Sequence, residues 1–130
     1  MNQIKISILI PAFNYSKGIK KIIECLKFSD KKFRKNIELI ISDDSDKKII
    51  NKKLEADLIK SFSNFQYIYN QKALGAIPNW NKLISLAQGE YIWLLHHDEY
   101  WEKEKDLIKS VLIVIKNKKP KFNTTMAACF

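Results

Sequence analysis

The chain alternates short apolar runs with stretches of helical periodicity, and the alternation occurs four times. Ile4 to Ile10 is β-branched and mostly apolar and ends at Pro11, the pattern of a strand buried on both faces. Beyond a loop over Pro11 to Ser16, the residues Ile19, Ile22, Ile23 and Leu26 recur at i, i+3, i+4 and i+7. That spacing predicts an amphipathic helix, with Lys17, Lys20, Lys21 and Lys27 on its wet side. Ile37 to Ser42 opens a second cycle, followed by the acidic loop Asp43 to Asp46 and a helix carrying Ile50, Leu54 and Leu58. Phe65 to Tyr69 is a third strand, and the loop Asn70 to Pro78 leads into a helix with Ile77, Trp80, Leu83, Ile84 and Ala87 on one side. Gly89 is placed to stop that helix in a C-cap role. Tyr91 to Leu95 is the fourth strand. A turn over His96 to Glu99 then gives way to a last helix with Leu107, Ile108, Val111, Leu112 and Ile115, ended before Pro120. In this pattern Trp80 and Trp93 read as core residues.

Strand and helix in regular succession imply parallel strands joined by right-handed crossovers, so the expected fold class is α/β, a doubly wound, mostly parallel sheet with flanking helices. A length of 130 residues suits one domain, assigned to residues 1–118, with an irregular basic tail over 119–130. A hydrophobic fraction of 46% with only three glycines and three prolines excludes disordered and collagen-like classes. The apolar runs fall far short of the roughly 20 residues of a membrane-spanning helix. Cys25 lies in a helical pattern and Cys129 near the C-terminus, unlike a disulfide framework or a paired-cysteine metal site, and a reducing, cytoplasmic setting is expected.

The net charge of +9 changes this picture less than its size suggests. Arg34 is the sole arginine and the lysines are scattered along the whole chain, with no arginine cluster and no aromatic RNA-binding motif. Nucleic acid is therefore not an expected partner.

Open parallel sheets bind ligands beyond the carboxyl ends of their strands. The loops there read Pro-Ala-Phe-Asn over 11–14, Ser-Asp-Asp-Ser-Asp over 42–46, and His-His-Asp-Glu over 96–99. Neither a glycine-rich dinucleotide fingerprint nor a P-loop motif occurs, so any phosphate must be held differently. Carboxylates at a strand end suit Mg²⁺ or Mn²⁺, hard ions that take oxygen ligands, and Asp98 with Glu99 fits that task. A plainer reading has Asp43, Asp44 and Asp46 capping the following helix, and His96 and His97 as turn residues. Adjacent histidines are poorly arranged for one zinc ion.

The order ISILIPAFN, IELIISDDSD and NQKALGAIPNWNKLISLAQGEYIWLLHHDE, over about residues 4 to 112, resembles the nucleotide-sugar-binding half of family 2 glycosyltransferases with the GT-A fold. The resemblance implies that Pro11, Ala12, Phe13 and Asn14 run along the nucleotide base and ribose. It implies that Asp44 accepts a hydrogen bond from the base, that Asp43 supports the loop, and that Gly75 and Asn79 flank the donor. Asp98, with Glu99 beside it, takes the metal position and binds Mn²⁺ or Mg²⁺ to the donor diphosphate. The acidic motif falls on His96-His97-Asp98, with histidine where the first acid is usual. The implied partners are a nucleoside-diphosphate sugar, a UDP-sugar foremost, and a saccharide or lipid-linked acceptor. The implied setting is cell-surface polysaccharide assembly, at the inner face of the membrane. No catalytic residue is assigned, because the family's acceptor half and its general base lie beyond the matched motifs. Without that half an apolar edge near Tyr91 to Leu95 and the helix face over Val111 to Ile115 would favour self-association. The rival reading is a catalytically silent nucleotide-binding or interaction domain.

Overall fold

The computed structural model describes residues 3–102, 105–117 and 126–127. The elements are β1 (Ile6–Ala12), α1 (Ser16–Lys27), α2 (Lys31–Arg34), β2 (Ile37–Asp43), α3 (Lys52–Ser61), β3 (Phe65–Tyr69), α4 (Ala76–Leu86), β4 (Tyr91–Leu94), α5 (Leu107–Asn117) and β5 (Met126–Ala127). The strands form one sheet in the order β3-β2-β1-β4-β5, and every pair is parallel. The chain thus begins in the middle of the sheet and winds outward to either side, the expected doubly wound arrangement. The tail expected to be irregular contributes β5, which pairs Tyr91 with Met126 and Ile92 with Ala127. The rest of the 119–130 segment, Cys129 included, lies outside the described residues.

Alternation along β1 divides the core. Ile6, Ile8, Ile10 and Ala12 face the larger cluster with Ile19, Ile22 and Leu26 of α1, Leu58 of α3, and Ile108 and Val111 of α5. Leu9 faces a smaller cluster with Ile40 and with Leu83 of α4. Helices therefore cover both faces, as the fully buried run of β1 requires.

Pro11 does not end the first strand, which continues to Ala12. The Ala12 carbonyl accepts from Asp44 on the β2 side, whereas the Leu9 carbonyl accepts from Leu95 on the β4 side. Pro11 shares the side of Leu9, and β4 pairs with β1 only through Leu9, so the missing N–H of Pro11 breaks no ladder bond. Gly89 has another role than the expected cap. α4 closes at Ala87, and a Cβ at Gly89 would lie 2.7 Å from the Ser7 backbone nitrogen. A glycine stands there because the chain passes against β1, and Gly89 N–H donates to Ser7 Oγ at 2.8 Å. Among the described residues no helix is long and apolar enough to cross a membrane.

Candidate functional site

A cleft of about 770 Å³ opens at the carboxyl ends of β1, β2 and β4. Pro11, Ala12 and Phe13 form one wall, Asp44, Ala73, Gly75, Ala76, Asn79 and Trp80 a second, and His96 to Glu99 a third. Ten of the twelve residues singled out in the sequence come together here. Asn14 and Asp43 do not line the cleft; they build the loops that do.

The two adjacent aspartates of β2 and its loop take different positions because strand side chains alternate. Asp43 is fully buried. Its carboxylate accepts from Ser45 N–H and Ile49 N–H, each at 3.0 Å, and from the Tyr67 hydroxyl. Burial first, then the hydrogen bond to Asp43 and that residue's negative charge, push the Tyr67 hydroxyl well above the ordinary tyrosine range. Neither Asp43 nor Asp44 caps the following helix. That cap is Asn51, whose Oδ1 accepts from Leu54 N–H at 2.8 Å.

Asp44 turns the other way, toward the start of α4. Its oxygens accept from Leu74 N–H at 3.0 Å, Gly75 N–H at 2.9 Å and Asn70 Nδ2 at 2.8 Å. Gly75 has φ of 91°, a conformation that favours glycine, and its N–H is thereby aimed at the carboxylate. Leu74 N–H is shared with the second oxygen at 3.1 Å, so each oxygen of Asp44 accepts two bonds. Beneath this, Asn79 of α4 donates to the Ser42 carbonyl at 3.1 Å and accepts from the Ser42 hydroxyl. Asn70 bridges Ser42, Asp44 and Asn79, and Lys82 Nζ donates to Asn70 Oδ1 at 2.7 Å. A buried polar network of this kind holds the second wall in one arrangement.

The first wall is joined to both neighbours. Asn14, at φ 51°, donates its N–H to Ser45 Oγ at 2.7 Å and exchanges two hydrogen bonds with Asp46. Phe13 N–H donates to His97 Nδ1 at 3.1 Å. That bond places the proton of a neutral His97 on Nε2. The rings of His96 and Trp80 meet in a T-shaped contact, with centroids 5.1 Å apart. Trp80, expected in the core, is half-buried and lines the cleft. Helical periodicity reports only that a residue lies on the packed side of α4, and the start of that side overhangs the cleft.

Glu99 folds back on its own turn, accepting from His96 N–H at 2.9 Å. Asp98 is exposed at the cleft and has no hydrogen-bond or ion-pair partner among the described residues. Nor do the described residues include any group of three His, Cys, Asp or Glu that could hold a metal ion. The donor set fits a cation held by Asp98 together with ligand oxygens and water, the habit of Mg²⁺ and Mn²⁺ on diphosphates, and does not fit an all-protein cage.

A parallel α/β sheet with a cleft across the carboxyl ends of its central strands is the doubly wound class, which takes its ligands at that end. Within it, the chain belongs to glycosyl transferase family 2, whose family model matches residues 7–121. It is 32% identical over 109 residues to the amylovoran biosynthesis glycosyltransferase AmsB of Erwinia amylovora, covering 81% of this chain and 34% of that protein. Its fold superposes on S. aureus TarS 1-349 in complex with UDP, with a TM-score of 0.69 at 20% identity, covering 87% of this chain and 32% of that one. The mannosyltransferase PcManGT of Pyrobaculum calidifontis, in complex with GDP-Man and Mn²⁺, matches with a TM-score of 0.59 at 13% identity, covering 85% and 32%. The fold is that of GT-A glycosyltransferases. The chain spans about a third of the length of the relatives it matches.

Proposed function

We propose that the cleft binds a nucleoside-diphosphate sugar, a UDP-sugar foremost, as the donor site of a glycosyltransferase that builds polysaccharide. The observation that carries the reading is the convergence of Pro11, Phe13, Asp44, Gly75, Asn79 and Asp98 on one cleft. The UDP complex of TarS and the GDP-Man complex of PcManGT, proteins of the same fold, support it.

In this reading Pro11 to Phe13 provide the wall along base and ribose, and the exposed Phe13 ring is free to lie against a base. Asp44 holds the 70–75 segment in place, and an N–H of the base bonds to its carboxylate by replacing one of those donors. Asp98 would hold a divalent cation at the diphosphate end of the cleft. When bound, such an ion offsets the negative charge that develops on the departing nucleoside diphosphate. His96 stands where the family pattern has an acid, and the Nε2–H of its neighbour His97 suits an oxygen of the ligand. For the whole protein the reading implies displacement at the anomeric carbon by an acceptor hydroxyl.

Calorimetry with UDP tests this. Binding should be tighter with Mn²⁺ or Mg²⁺ than without. Asp98→Asn should remove most of that difference and leave the melting temperature unchanged. Metal-independent binding would remove the role of Asp98 while leaving the nucleotide site standing. Absence of UDP binding with metal present would overturn the reading and favour the silent interaction domain.

A further inference from the structure

At the opposite end of the sheet, ahead of β2 and β3, a second concavity of about 360 Å³ is lined by Lys31, Lys32, Arg34, Lys35, Lys60 and neighbouring serines. The strands that separate it from the donor cleft are seven residues long in β1 and β2, roughly 20 Å at about 3.3 Å per residue. Its lining contains five cations and no acid. Among the described residues none of the five forms an ion pair, whereas Lys5, Lys27 and Lys105 each pair with a carboxylate.

Arg34 sets this concavity apart from scattered surface lysines. It is the sole arginine of the chain. Its Nε–H donates to the Ser29 carbonyl at 2.9 Å and its Nη1 to the Ser61 carbonyl at 2.6 Å, and the guanidinium lies 5.6 Å from the Phe62 ring centroid. Carbonyls and an aromatic ring thus hold a half-buried cation in one orientation without neutralising it. A guanidinium has five N–H donors, so three remain, enough for a two-pronged bond to a tetrahedral oxyanion. The lysines around it add charge on flexible stems that can close on the same anion.

We propose that this concavity is a phosphate-ester site, separate from the donor cleft, with Arg34 as its fixed recognition element. The chemistry is that of a phosphoryl group carried by a lipid headgroup or by a soluble phosphate ester.

Titration of the whole chain with inorganic phosphate and with glycerol phosphate, followed by amide and arginine Nε–H NMR, tests the site. Saturable shifts are expected at Arg34 and at residues 31–35 and 60–63. Arg34→Lys keeps the charge and loses the fork, so affinity should fall roughly tenfold, as for loss of one charge-assisted hydrogen bond. Should that variant fail to fold, Lys32→Gln with Lys35→Gln alters exposed positions only and should weaken binding severalfold. Unchanged affinity in the variants, or shifts confined to the donor cleft, would overturn the proposal. Sedimentation with phosphatidylcholine vesicles, with and without phosphatidic acid, separates the sources. Binding that needs phosphatidic acid and Arg34 identifies the lipid headgroup, and phosphate shifts without vesicle binding identify a soluble ester.

Discussion

Asp43 and Asp44 are neighbours of one chemical type, and strand alternation gives them separate work. The Asp-Asp pair is legible in the sequence as a feature, but the division between them depends on partners from distant elements: Tyr67 on β3 for one, Leu74 and Gly75 before α4 for the other. Tyr67→Phe leaves the buried Asp43 one donor short and should destabilise the fold by about 1–3 kcal/mol, measured by urea unfolding at pH 7. The same pair predicts a pH effect. The folded state holds the Tyr67 proton more tightly than the unfolded state. Its contribution to stability is therefore complete below the unfolded tyrosine pKa of about 10 and is lost as pH rises above that value. Tyr67→Phe should flatten that alkaline decline, and an unchanged slope would assign it to other groups. Asn14 is a second case, since its left-handed backbone and its paired bonds to Asp46 both favour asparagine. Asn14→Ala should cost about 1–2 kcal/mol, and Asn14→Gly, which relieves the backbone but still loses the bonds, somewhat less.

At the scale of elements, the first four strands and the four long helices were readable because their periodicities are strong, whereas the two-residue β5 shows no period. Boundaries and contacts were less so. α2 has four residues, too few to show a period, and Gly89 looked like a cap although close approach to Ser7 is what requires it. Gly18 is the clearest contact that sequence could not indicate. In α1 it faces the His97 carbonyl, which a Cβ would approach to 2.1 Å. That contact seats the 96–99 turn directly on the helix that follows the first wall. Gly18→Ala should push the turn outward, lowering stability by roughly 1–3 kcal/mol as overpacking does, and weakening UDP binding as well. A variant that loses stability with unaltered UDP affinity would show that the turn's position is not set by α1.

For the whole molecule, the doubly wound class follows from alternation alone, but the strand order β3-β2-β1-β4-β5 does not, because periodicity records no pairing. The cleft was legible in advance since parallel sheets carry their ligand loops at one end. Trp80, Ala73 and Ala76 were missed because nothing in their chemistry marks them. The face of α5 retains Ile113 and Val114, each about half exposed at 49% and 48%. An apolar patch of this kind favours association. Light scattering of these 130 residues should show concentration-dependent self-association, reduced by Ile113→Lys with Val114→Lys.

The central claim is that a nucleoside diphosphate occupies the cleft at the carboxyl ends of β1, β2 and β4. Mapping amide shifts on addition of UDP and Mg²⁺ tests it directly, because it reads position as well as affinity. The account predicts saturable changes at Ala12 to Asn14, Asp44, Leu74 to Ala76 and His96 to Glu99, with residues 31–35 unmoved by the nucleoside part. Changes elsewhere, or none at millimolar UDP, would contradict it.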